Sequence, residues 1–143
     1  REAGFRDGLA KADLPVYAHG LGQFTVDGAK NAARTMFEKP TTPDAIFIAT
    51  DHMAFAVMDV IRSEVGLRIP EDVSIIGYDD VPPAAWAAYD LTTVRQRANA
   101  MVQETVALML NKISNPASEP RHIKVDSPLI VRGSAKIPKG WTP

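Results

Sequence analysis

The 143 residues include no cysteine. That absence excludes disulfides, thiolate-bound metals and cysteine nucleophiles, and leaves the redox compartment undecided. Neither sign of charge is in excess: 16 Lys and Arg stand against 17 Asp and Glu, a formal net charge of -1. The chain therefore lacks the basic footprint of a nucleic-acid binder. No apolar run reaches the ~20 residues that a membrane-spanning helix needs. G-x-S-x-G, H-E-x-x-H, a Walker loop and G-x-G-x-x-G are all missing. His19, His52 and His122 are scattered, so neither a metal site nor a cofactor is expected. His52 follows Asp51 directly and reads as the first residue of a helix rather than a catalytic base. The chain opens Arg1-Glu-Ala-Gly-Phe5 with no initiator Met and no signal peptide, and is expected to be a piece of a longer protein that starts inside a helix.

What is present is an ordinary globular composition, 45 % hydrophobic and 23 % charged. At this size folding buries roughly 68–70 % of the unfolded chain's surface, enough for one real core. The most informative stretch is Val73-Ser-Ile-Ile-Gly-Tyr-Asp-Asp80. A continuous apolar run is the mark of a strand covered on both faces. Open parallel sheets bind ligands beyond the carboxyl ends of their strands, which is where Asp79 and Asp80 stand. Their other reading is as caps of the following turn.

Ala45-Ile-Phe-Ile-Ala49 repeats the pattern: a buried strand, then Thr50-Asp51 opening a helix from His52 to Val65, with Gly66 where a helix ends in the left-handed conformation. Two consecutive βα units predict a parallel sheet with right-handed crossovers. Upstream, helical spacing of Phe5, Leu9 and Ala12 predicts a helix over 1–12, ended by Pro15. Val16–Ala18 reads as a short strand, and Thr25 or Asp27 caps a helix over 27–38. Downstream, Leu91–Val94 reads as a short strand, Asn99–Ile113 as a helix, and His122–Val125 and Leu129–Val131 as extended pieces. The tail from Lys136 to Pro143, rich in Pro and Gly, is expected to wrap the surface. No internal repeat is present.

Several of these segments together carry a resemblance. Thr50-Asp-His-Met-Ala-Phe-Ala56, Gly66 to Asp80, Leu91-Thr-Thr-Val-Arg-Gln96 and Leu129-Ile-Val-Arg-Gly-Ser134 resemble, in this order, the lactose-repressor/galactose-repressor (LacI/GalR) family of bacterial transcription regulators. Arg1–Phe5 and Gly22-Gln-Phe-Thr25 fit the same pattern; Ala29 departs from it, standing where the family usually has glycine. The resemblance implies an α/β fold, a three-layer parallel sheet with helices on both faces, of the type I periplasmic-binding-protein kind and incomplete at its N-terminal side. It implies that residues 1–95 and 119–135 belong to the second subdomain of an effector-binding core. Residues 96–118 would be a crossover helix belonging to the first subdomain, and the DNA-binding headpiece lies outside this chain.

The function so implied is effector sensing and dimerisation in a regulator, not catalysis. The effector is expected to be a sugar or a related small polar molecule, and the setting is the cytoplasm, without membrane attachment. Operator DNA would be reached only through the headpiece. Arg1, Phe24, Asp51, Asp79 and Gln96 match the family's ligand-contact positions, although Asp51 also reads as a helix cap and Arg1 as an exposed terminal residue. Phe55 and Trp86 match its dimer interface, a homodimer. On helical spacing Phe55 falls away from the face formed by Met53, Val57, Val60 and Ile61. Two alternatives remain: a periplasmic sugar-binding protein of an ABC transporter, which shares the fold but usually reads Gly-Phe-Asp-Gly where this chain has Gly77-Tyr-Asp-Asp80, and a phosphoryl-transfer domain holding Mg²⁺ between Asp51 and Asp79.

Overall fold

The computed structural model describes residues 1–141. Its centre is a four-stranded sheet in the order β1 (Ala45–Phe47), β2 (Ser74–Asp79), β3 (Thr92–Arg95) and β4 (Leu129–Ile130). The first three strands are parallel, as the alternation of strands and helices predicts, and β4 adds an antiparallel edge on β3. Ile46 pairs with Ile75, and Gly77 with Thr93. The three parallel strands therefore end side by side, at residues 47–50, 79–80 and 95–96.

Helices flank both faces. On one face lie α2 (Val26–Phe37) and α3 (Asp51–Val60), and between them and the sheet sits the core: Ala29, Ala33, Ile48, Met53, Val57, Met58, Ile61, Ile75 and Leu91. The other face carries Phe47 and Tyr78, whose rings meet edge to face at 6.5 Å. There α1 (Glu2–Lys11) lays Phe5 on Phe47 with centroids 5.1 Å apart.

Local sequence explains where these helices begin and end. Thr25, extended at φ -121°, caps α2 by accepting from the Gly28 amide at 3.0 Å, so the helix starts one residue earlier than predicted and Asp27 lies inside its first turn. Ala29 takes its place in the core without disturbing that turn. Gly28, one residue earlier, makes the close crossing: a Cβ there would stand 2.4 Å from the Gly22 carbonyl oxygen. Thr50 caps α3 through the Met53 amide. The helix then widens into a π turn over Ile61–Val65 and stops at Gly66, φ +77°, as expected.

Three extended readings change. Val16–Ala18 and His122–Val125 are irregular rather than strands, for among the described residues neither finds a neighbouring strand to pair with. Leu129–Val131 shortens to the two residues of β4. The predicted tail is irregular with turns through Trp141, and Thr142 and Pro143 lie outside the described residues. The helix expected over 99–113 is α4 (Ala98–Ser114), and none of its residues is buried.

Candidate functional site

The site is built at the shared end of the parallel strands. Asp79 closes β2 with φ +127° and Asp80 follows at φ +58°. Two successive non-glycine residues in the left-handed half of backbone space cost of order 1–3 kcal/mol each, and such strain gathers where surrounding structure holds a functional geometry. The hold is visible. The Arg1 guanidinium bridges to Asp79 Oδ1 at 2.9 Å, and its Cζ lies 4.1 Å from the centroid of the Tyr78 ring. The same guanidinium donates to the Ala49 carbonyl at the end of β1. Gln96, just past β3, donates its side-chain amide to Asp79 Oδ1 and its backbone amide to the Asp79 carbonyl. One carboxylate thus joins α1, β2 and β3 and keeps about a fifth of its side chain open to solvent. A cation over an aromatic face and a carboxylate with part of its accepting capacity free suit a hydroxyl-rich ligand.

Asp80 has a different environment. Its side chain is only 6 % exposed, with Oδ2 on Arg95 Nε at 2.5 Å and Oδ1 on Arg132 at 2.7 Å. Burial alone would raise its pKa; hydrogen bonds from Arg132 and Arg95 outweigh burial and hold it below the usual carboxylate range.

Of the sequence-matched contact residues, Arg1, Asp79 and Gln96 form one bonded group. Arg1 is anchored rather than a free terminal residue. Phe24 makes no bond to this group; it stands on the left-handed pair Gln23–Phe24 (φ +50° and +55°), 74 % exposed. Asp51 is corrected. It is 0 % exposed, and both its oxygens are used internally, Oδ1 by the Thr93 hydroxyl at 2.6 Å and Oδ2 by the Val81 amide at 2.9 Å. It occupies the first helical position, where a carboxylate also suits the helix dipole, while the capping role falls to Thr50. The half-buried Thr50 is the polar side chain at this strand end that is not sealed in the interior.

Asp51 therefore fails as one half of a magnesium pair with Asp79: its oxygens point into the protein and are satisfied there. Among the described residues no group of three or more acidic or histidine side chains is arranged to hold a metal ion. Sequence reasoning missed Tyr78, which alternation puts on the opposite face of β2 from Gly77 and whose ring meets the same Arg1 guanidinium that holds Asp79. It also missed the Arg95–Asp80–Arg132 clamp, whose members lie up to 52 residues apart.

The Phe55 ring is half-buried and tilts against Tyr89, centroids 4.3 Å apart, so it has a partner within the chain that helical spacing did not reveal. Trp86 is 59 % exposed. A recess of about 280 Å³ opens beside Tyr78 and Gln96, walled by Met101 and Leu108 of α4 and by Ile123 and Val125.

This geometry has counterparts. Residues 1–135 match the model of the periplasmic binding protein-like domain. The HTH-type transcriptional regulator CelR of Thermobifida fusca is 34 % identical over 137 residues, 94 % of this chain and 40 % of that protein. A solved complex of the transcriptional regulator CelR with cellobiose superimposes with a TM-score of 0.80 at 33 % identity, over 92 % of this chain and 41 % of the other. The Lac repressor dimer bound to operator and the anti-inducer ONPF gives 0.86 at 26 % identity, over 94 % and 46 %. The chain thus spans less than half the length of these proteins.

Proposed function

The chain belongs to the periplasmic binding protein-like domain family in the form carried by LacI-type regulators, and on that premise we propose that it is the effector-sensing and dimerisation part of a bacterial transcriptional regulator. The observation that carries this reading is Asp79: a carboxylate on strained backbone at the crevice end of β2, held by Arg1 and Gln96. Asp79 accepts from ligand hydroxyls, Arg1 donates to them, and Phe24 offers an apolar face to a sugar ring. Thr50 takes the place in the contact set that its neighbour Asp51 leaves.

In this reading the protein works in the cytoplasm through a coupling free energy. An effector that binds one arrangement of two subdomains better than another shifts the population between them, and with it the affinity for operator DNA. Residues 1–95 and 119–135 form the second subdomain, and 96–118 cross to the first. The exposed apolar residues of α4 support that division, since nothing else among the described residues buries them. The relatives are regulators, which favours this reading over a transporter's binding protein and over an enzyme. Among the described residues no helix is long and apolar enough to cross a membrane.

Titration calorimetry on the regulator that carries this chain tests the proposal, with cellobiose as the first probe and a panel of mono- and disaccharides after it. One sugar should bind, and Asp79→Ala should weaken it by about 10- to 100-fold, the loss of charge-assisted hydrogen bonds at ~1.5–3 kcal/mol each, while operator binding persists. An unchanged dissociation constant in Asp79→Ala would remove this site from consideration.

A further inference from the structure

Between β3 and β4 the chain leaves the α/β unit. It departs after Arg95, makes α4 with no buried residue, and re-enters at Leu129. The outgoing and returning strands are antiparallel neighbours, and both are fastened to one side chain. Arg95, the last residue of β3, and Arg132, just past β4, both bind the carboxylate of Asp80. Further bonds tighten the same base. The Arg95 amide donates to the Pro128 carbonyl at 2.9 Å, the Arg132 amide to the Thr92 hydroxyl at 2.9 Å, and the Arg132 guanidinium to the Leu91 carbonyl at 2.8 Å. Asp80 adjoins Asp79 in sequence, on the same strained pair of residues.

We propose that Asp80 is the positioning residue that sets the attitude of the 96–128 excursion relative to the sheet. It acts by pinning both crossing strands to the backbone turn that carries the effector carboxylate. This deepens the function proposed above: a ligand that draws on Asp79 moves the turn on which Asp80 is mounted, and Asp80 delivers that movement to the outgoing and the returning strand together. A carboxylate suits the task because its two oxygens each take one guanidinium. Asparagine, with one acceptor oxygen, can hold only one of them.

The test needs no ligand. Hydrogen exchange, resolved by residue on the regulator carrying this chain, compares wild type with Asp80→Asn. The amides of Arg95, Gln96 and Arg132 should exchange at least tenfold faster, while Ile48, bonded to the Ile76 carbonyl of β2, and Ala54, bonded to the Thr50 carbonyl at the start of α3, stay unchanged. Uniform acceleration at all five amides would mean that Asp80 is an ordinary structural brace, and no change would mean that it pins nothing; either result overturns the proposal. Should Asp80→Asn fail to fold, Arg95→Gln removes one half-exposed arm. It should then speed exchange at Arg95 and Gln96 but leave Arg132 as it is, and an equal effect at Arg132 counts against the pin. Because no sugar is present, the result stands apart from the calorimetry that decides whether Asp79 binds one.

Discussion

Gly77 has no side chain, and that is its contribution. A Cβ at this position would lie 2.3 Å from Asp51 Oδ1 and 2.9 Å from Leu91. The buried carboxylate of Asp51 passes through that space to reach Thr93 and Val81, linking the start of α3 to β3 and to the segment beyond Asp80. Gly77→Ala should therefore expel the carboxylate from a fully buried place, leaving the Thr93 hydroxyl and the Val81 amide without it. Overpacking and lost buried hydrogen bonds each run to about 1–3 kcal/mol, so urea denaturation should show a loss of ~2–5 kcal/mol. A change within experimental error would show that the Asp51 linkage is dispensable. Asp80 makes a second prediction, on pH. Its carboxyl is held below the ordinary value by Arg132 and Arg95. A depressed folded pKa means stability that is present above the unfolded value, ~3.9 for Asp, and lost as pH falls through the folded value. Wild type should lose stability over that acid range, and Asp80→Asn should lose less over the same range. Asp72, Glu64 and Glu2 are also held low by arginines at the surface, and they supply the acid sensitivity that remains in both proteins. Denaturant titrations at a series of pH values below 5 compare the two slopes.

At the scale of elements, the parts legible in the sequence were those fixed locally. The apolar runs of β1 and β2, the cap before α3 and the glycine after it each declare themselves within a few residues. Val16–Ala18 carries the residue types of a strand, but pairing is a property of two segments, and among the described residues no second one pairs with it. The exchange of the capping role between Thr50 and Asp51 turns on a single residue: where the strand stops decides which side chain caps α3 and which turns under Gly77. The Asp80 clamp was illegible because its arginines come from strands distant in sequence. With α4 the helix was readable and its environment was not. Val102, Val106, Met109, Leu110 and Ile113 share one broad stripe at helical spacing and are 49–72 % exposed. In the proposed division this stripe packs into the first subdomain. Replacing Val106 and Leu110 by Glu should then leave the thermal stability of the 143-residue chain nearly unchanged, since neither side chain is buried in it. The same pair should destabilise the full regulator by several kcal/mol, because buried unpaired carboxylates are costly. Equal, small effects in both would place the stripe in solvent and undo the division of the chain between subdomains.

The whole molecule is defined as much by what it must join as by what it contains. A net charge of -1 offers little with which to neutralise a phosphate backbone, so in the regulator proposed above operator DNA would be reached through other segments and through assembly. A homodimer is the assembly proposed, and the surface offers a specific place for it. Trp86 projects from the turn after β2 at 59 % exposure, while the neighbouring Phe55 and Tyr89 rings already stack within the chain. A two-fold interface would set this aromatic group against the same group of a second copy, and aromatic side chains are the ones that interface cores concentrate. The two residues make unequal tests. Phe55→Ala removes packing from the edge of the core as well as from the interface, so its effect mixes folding with association. Trp86 buries little within its own chain, and the turn's hydrogen bonds at this position are made by its backbone, from its amide to Pro83 and from Tyr89 to its carbonyl. Trp86→Ala should therefore leave the unfolding midpoint at low protein concentration almost unmoved. It should weaken dimerisation by ~2 kcal/mol or more, about 30-fold in the dissociation constant, if the indole is an interface anchor. Sedimentation equilibrium of the regulator across nanomolar to micromolar concentrations reads that difference directly. A wild-type protein that stays monomeric at micromolar concentration, or a Trp86→Ala variant that dimerises as tightly as wild type, would leave the exposed indole without the partner assigned to it here.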